Sequence, residues 1–212
     1  MPTPDAASIT TLQYLLAHFA VTVSAVSGVL AGSGKRVDLF GVIVLGLVTA
    51  LGGGTVRDVI LQAPHVFWID DSNFVLNAVL TAAITFAIAR YRVVSEKALG
   101  VADAFGLALF AILGAAKGLK FEVGLTNSVV LGVITGVAGG ILRDILVGEI
   151  PLVFRRNIYL YATAAVVGAT VFVVLEKWLP GHPSNRLIGI GLILVLRLAA
   201  MQWKLSLPEF ER

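Results

Sequence analysis

Two stretches of the chain spell nearly the same phrase: Leu51-Gly52-Gly53-Gly54-Thr55-Val56-Arg57-Asp58 and Val137-Ala138-Gly139-Gly140-Ile141-Leu142-Arg143-Asp144. In each, glycines inside an apolar run are followed by an adjacent arginine and aspartate. Glycine weakens a helix by about 1 kcal/mol relative to alanine, and its backbone freedom can release carbonyl oxygens from helical pairing. Such carbonyls, with Thr49 and Thr135 one turn earlier, are the oxygens that replace water around a partly dehydrated cation. On this account the helices are broken at Gly52-Gly53-Gly54 and Gly139-Gly140, more mildly in the second copy, where Ala138 takes the place of Gly52. A leucine at Gly53 or Gly139 should then block the path before it harms folding. A second account is close packing, because Gly46, Ala50, Gly54 and Gly132, Gly136, Gly140 form small-residue ladders at four-residue spacing. The two accounts are compatible.

The charges inside apolar runs come next, since a charge at the bilayer centre costs about 2.5–3.5 kcal/mol on insertion scales. Arg57-Asp58 and Arg143-Asp144 read either as interface anchors or as the mouths of a pathway. Adjacent residues on a helix do not face each other, so a bridge within each pair is a poor account of them. Asp103 and Arg197 lie in other runs and lack repeat partners, and pairing with each other is the expected way to neutralise both; an ion-pathway carboxylate is the alternative for Asp103. Lys117 is most simply an anchor whose ammonium reaches the interface. Trp68, Trp178 and Trp203 fall near run ends, where interfacial aromatics belong. With no cysteine and three isolated histidines, His18, His65 and His182, no metal-ligand spacing exists beyond sites for a transported cation, and no cofactor is implied. Neither a Ser-His nor a His-Glu-x-x-His arrangement supports a membrane hydrolase, so the chain is expected not to be an enzyme.

The elements that must position these residues follow from composition. Of 212 residues 58% are hydrophobic, 22 are glycine and only 14% are charged, and the mean hydropathy is +0.92. That leaves too little polar surface to cover a soluble globule. The net charge of +3 is spread between apolar runs instead of being gathered on one face, which argues for a membrane and against nucleic acid. Seven runs are long enough to cross: 9–31, 37–61, 73–89, 98–117, 124–147, 158–176 and 187–203. The first is too long for a signal-peptide core and is taken as a retained span. With the N-terminus outside, the inner side receives Lys35, Arg36, Arg90, Arg92, Lys97, Arg155, Arg156, Lys204 and Arg212, against Lys117, Lys120, Lys177 and Arg186 outside. Nine against four places the C-terminus in the cytoplasm. Arg57 then approaches the outer face, about 30 Å beyond Val37 by helical rise, and Arg143 the inner.

An offset of 86 residues aligns Gly28 with Gly114, Leu45-Gly46 with Leu131-Gly132, Thr49 with Thr135, Gly53-Gly54 with Gly139-Gly140 and Arg57-Asp58 with Arg143-Asp144. Each copy holds three spans, 9–91 and 98–177, so the second must enter the membrane inverted; span 187–203 is an addition. The expected fold is an all-α integral membrane protein with seven transmembrane helices, two inverted three-helix repeats plus a seventh helix, in one membrane domain. Asp103 falls opposite Ala17 and breaks the symmetry. Small faces at Gly28-Gly32 and Gly114-Gly118 are suited to packing within or between protomers.

These segments, together with Asp38-Leu39-Phe40-Gly41 and Asp103-Ala104-Phe105-Gly106, resemble prokaryotic members of the TRIC, or trimeric intracellular cation, channel family, whose related bacterial domain is also catalogued as a glycine transporter. The resemblance runs from Gln13 to Trp203. It implies a symmetric homotrimer in the prokaryotic cell (inner) membrane, in contact with membrane lipids. Each protomer would carry a pore between its repeats, permeable to monovalent cations, potassium first and sodium second. Helices two and five would be kinked at Gly52–Gly54 and Gly139-Gly140. A basic residue on helix four is implicated in gating in animal members, and Lys117 is the only lysine in that span. The alternative is a secondary carrier for a small molecule such as glycine; inverted repeats serve both, while the lack of an acidic cluster at mid-depth disfavours a proton- or sodium-coupled cycle.

Overall fold

The computed structural model describes residues 4–91, 95–155 and 160–205. Its elements, in order, are α1 (Pro4–Ala31), α2 (Leu39–Ile60), the short α3 (Phe67–Asp70), α4 (Asn73–Tyr91), α5 (Glu96–Lys120), α6 (Leu125–Leu146), a 3₁₀ turn at Leu152–Phe154, α7 (Tyr161–Trp178) and α8 (Pro183–Trp203). All but α3 and the 3₁₀ turn are long and apolar enough to span a membrane, giving seven spans. Arg92, Arg156 and Arg212 of the charge count lie outside the described residues.

Local chemistry sets the helix ends. The Asp38 carboxylate accepts the Gly41 N–H at 2.8 Å to start α2, the Ser95 hydroxyl accepts the Lys97 N–H at 3.3 Å to start α5, and Pro183 opens α8. The stops of α2 and α6 are copies of each other. Leu61 and Val147 N–H donate to Arg57 and Arg143 carbonyls, and Ala63 and Glu149 N–H to Asp58 and Asp144 carbonyls. Between them Gln62 and Gly148 both turn left-handed, at φ 49 and 72. Glycine adopts that conformation without strain and glutamine does not, so the first copy keeps the turn with a less suitable residue.

The first repeat, α1–α2–α4, packs as a unit, as does the second, α5–α6–α7, with α8 laid on α7 and α5. The two meet through the self-equivalent contacts α2–α6 and α1–α5, as an approximate two-fold axis requires. The core gathers Leu107, Leu109, Ile112, Phe172 and Ile193 around α5, the most enclosed span. Large apolar side chains such as Leu80, Ile84, Val167 and Val195 point outward. In lipid those contacts do not drive association, so close van der Waals packing has to hold the helices together.

That packing corrects one expectation. Both α2 and α6 run as unbroken helices through their glycines. Gly53 and Gly139 instead form the crossing point. A β-carbon on Gly53 would strike the Thr135 carbonyl oxygen, and one on Gly139 the Thr49 carbonyl oxygen. Only glycine allows backbone to touch backbone there, and helical pairing is retained because the neighbouring helix, not a ligand, fills the space. Leucine at either position would therefore damage packing directly, so it is no test of a pathway. The small faces at Gly28-Gly32 and Gly114-Gly118 are likewise used inside the protomer, Gly28 against Leu45, Gly46 and Thr49 and Gly114 against Thr135 and Gly132.

Candidate ion pathway and its charge clusters

Thr49 and Thr135 are buried on either side of the α2–α6 crossing, and each hydroxyl donates to the carbonyl four residues back, Leu45 or Leu131, at 2.6 Å. With its proton committed, each oxygen offers only lone pairs. Beside them is a cavity of about 10 Å³, roughly enough for one water. It is bordered by Thr49, Gly53, Thr135, Gly139 and Gly140 from the expected set. Gly52 and Gly54 stand apart, the first facing the Leu142 side chain and the second the Phe67 ring. Ser24, Ser27, Asp103 and Phe110 complete the more informative part of the wall. The two serines were missed by the sequence argument, although two hydroxyls in an apolar run, one a turn before Gly28 and one directly before it, were a usable signal.

At the far end of α2, Arg57 and Asp58 do bridge within the pair, Nε to Oδ1 at 2.7 Å, and Arg143–Asp144 repeats this at 2.7 Å. The expectation that neighbours cannot meet fails because each pair sits in the last turn of its helix, where a long guanidinium can fold back over an adjacent carboxylate. The other carboxylate oxygen pins the following segment. Asp58 Oδ2 accepts the Phe67 N–H at 2.9 Å and Asp144 Oδ2 the Leu152 N–H at 2.7 Å. So α3 and the 3₁₀ turn are held over the helix ends by the same device.

The third member of each cluster comes from α5 and differs in sign. Lys117 Nζ lies 2.7 Å from Asp58 Oδ1, so its role as a free interfacial anchor is corrected: its ammonium is spent on a buried carboxylate. Asp103 pairs with Arg143, Nη1 to Oδ1 at 2.8 Å, not with Arg197. Arg143 is nearer because α5 and α6 pack side by side along their length. It is fully buried and also donates to the Ser27 hydroxyl. Arg197 lays its guanidinium over the Tyr161 ring, 4.6 Å from the centroid.

At the end of the molecule where Arg143 and Asp144 lie, an opening of about 800 Å³ is lined by Lys35, Lys97, Asp144, Glu149, Arg155 and Arg197, among others. Glu149 pairs there with Lys35 and, at 3.6 Å, with Arg155. The Lys35 contact, by hydrogen bond and then by charge, holds the Glu149 carboxyl below the usual range. Among the described residues no three acidic or histidine side chains gather to hold a metal.

Seven spans, an inverted duplication and a small polar cavity on its axis define an integral membrane protein of the channel or transporter type. The chain belongs to the family described as glycine transporter, whose model matches residues 14–90 and again 100–177. It is 41% identical to a UPF0126 membrane protein of Vibrio cholerae over 95% of this chain and 84% of that one. It is 42% identical to the UPF0126 inner membrane protein YadS of Escherichia coli over 94% and 96%. Among solved structures it superposes on the TRIC trimeric intracellular cation channel orthologue from Rhodobacter sphaeroides with a TM-score of 0.87 and 37% identity, covering 92% of this chain and 100% of that one. A second structure, described in connection with conductance through TRIC cation channels, gives 0.84 at 32% identity, covering 93% and 97%.

Proposed function

We propose that the protein is a monovalent cation channel, permeable to potassium, that works as a homotrimer with one pore in each protomer between its inverted repeats. The observation that carries this reading is the paired presentation of Thr49 and Thr135 oxygens beside the Gly53–Gly139 crossing, around a cavity that ends at buried acid. The likeness to TRIC channels at 32–37% identity over nearly the whole chain supports it. Ions would pass where Thr49, Gly53, Thr135, Gly139 and Gly140 meet, and the cavity as it stands, large enough for about one water, represents a closed pathway. A gating role for Lys117, whose ammonium is bound to Asp58 near the end of α2, is in keeping with the family resemblance. N-terminus outside and C-terminus cytoplasmic is the orientation that the charge bias supports.

The test is recording from purified protein in planar bilayers under potassium and sodium gradients. Unitary currents that reverse near the potassium potential are expected. Thr49→Val and Thr135→Val keep the shape and remove the oxygens, so each should lower the conductance of a protein that still folds. The family's description favours a second reading, a carrier for glycine. Saturable glycine uptake with no unitary current would establish the carrier and overturn the channel.

A further inference from the structure

The two charge clusters are not equivalent, and the difference lies in what the cavity can bind. Every oxygen of the first carboxylate is engaged: Asp58 Oδ1 takes Arg57 and Lys117, and Oδ2 takes the Phe67 N–H. In the second cluster Asp144 is satisfied in the same way, by Arg143 and the Leu152 N–H. Asp103 is not. Its carboxyl meets Arg143 at Oδ1 and faces the Tyr161 hydroxyl beside Gly140, while Oδ2 is buried without a hydrogen-bond partner, in a residue only 6% exposed that borders the cavity. An unpaired buried carboxylate oxygen is costly to leave unsatisfied.

The surroundings of that oxygen suit a cation. Ser24 and Ser27 bring hydroxyls to the same cavity from α1, the Ser27 oxygen with one lone pair already taken by Arg143. At the positions 86 residues on, α5 carries Phe110 and Leu113, both buried, so these two hydroxyls have no counterpart across the repeat axis. The two carboxylates that hold Arg143 open onto different spaces: Asp103 borders the central cavity and Asp144 the large opening. The Arg143 guanidinium therefore stands between the two as a tethered positive charge, with its own Nη2 buried and unpartnered. Arg197 lays a second positive charge over the Tyr161 ring.

Resting on the channel reading, we propose that Asp103 Oδ2, with the Ser24 and Ser27 hydroxyls, is a binding site for one partly dehydrated monovalent cation. The ion stops there between the central cavity and the large opening, and Arg143 shifts aside to let it through. Oxygen donors of one charge and two hydroxyls are the chemistry of potassium or sodium, not of an anion or an amino acid.

The experiment titrates potassium against choline at fixed ionic strength and follows thermal unfolding of the detergent-purified protein. The parent should show a saturable rise in melting temperature. Asp103→Asn should abolish it, and Ser24→Ala with Ser27→Ala, which leaves every charge in place, should raise the midpoint about tenfold. The serine pair decides the matter if Asp103→Asn does not fold. An unchanged potassium response in the variants, or none in the parent, overturns the site. Bilayer recording separates this from the wider reading. A potassium response without unitary current keeps the site and removes the channel, whereas unitary currents whose dependence on potassium concentration survives Asp103→Asn keep the channel and remove the site.

Discussion

Arg143 is the residue on which its half of the molecule turns, because one fully buried guanidinium answers two carboxylates and a hydroxyl. Replacing it with glutamine strands Asp103 and Asp144 together, and a loss of about 3–5 kcal/mol is expected. The melting temperature of Arg143→Gln should fall far more than that of Arg197→Gln, and Arg143→Gln with Asp103→Asn should recover part of the loss. Equal falls for the two arginines would contradict the pairing. At the surface beside Lys35, Glu149 has its pKa lowered, so its contribution to stability is present above the ordinary carboxylate range and is lost as pH falls through the lowered value. On acidification through that window the parent should lose more thermal stability than Glu149→Gln, and matching pH curves would speak against the Lys35 pair. The sequence made these residues conspicuous but not their partners. Three intramembrane arginines were available to Asp103, and Lys117 meets Asp58 across 59 positions, a distance no local spacing rule spans.

At the scale of the helix, the glycines sort by what lies opposite them. A β-carbon at Gly53 would meet backbone, which cannot yield, whereas one at Gly52 would meet the tip of the Leu142 side chain at 2.8 Å, which can rotate away. Gly52→Ala is expected to shift the melting temperature little, with a helix-propensity gain of about 1 kcal/mol offsetting the contact. Gly53→Ala and Gly139→Ala should each cost several times that, by forcing α2 and α6 apart. Comparable effects at positions 52 and 53 would show that the crossing is not where these contacts place it. The spans were legible because each is a continuous apolar run of membrane length. The small-residue ladders pointed to a different face: Gly46 meets Ala82 of α4 and Gly132 and Gly136 meet α5, while the crossing residues Gly53 and Gly139 stand one position off that four-residue rhythm. The short α3 and the 3₁₀ turn escaped because they are held by Asp58 and Asp144 carboxylates, not by any pattern of their own.

For the whole molecule, orientation and assembly are the open quantities that experiment can fix. Reporter fusions after Arg92 and after Arg212 should both read cytoplasmic, and a periplasmic signal at either would reverse the orientation. The mass of the detergent-corrected particle should be that of three chains. Since Gly28, Gly32, Gly114 and Gly118 pack within the protomer, any trimer contact has to come from the outward apolar faces, and alanine at Gly28 should disturb folding before it disturbs mass. The inverted plan was readable because an odd number of spans per copy leaves no other way to thread the second. The large opening was not, because Lys35 belongs to the α1–α2 loop and Glu149 and Arg155 to the α6–α7 connection, and the two meet only once both repeats are assembled.

One consequence of the central helix belongs to mechanics. Asp103 and Lys117 stand 14 residues apart on α5, about 21 Å of rise and within about 40° of the same side. One is fastened to the end of α6 and the other to the end of α2, the two blades that cross at Gly139 and Gly53. A rod of fixed length bolted to both blades sets the angle between them, and it does so with opposite charges at its two bolts. Any force that slackens one bolt loads the other, so the crossed pair cannot shear open at one surface of the membrane without the opposite surface registering the strain.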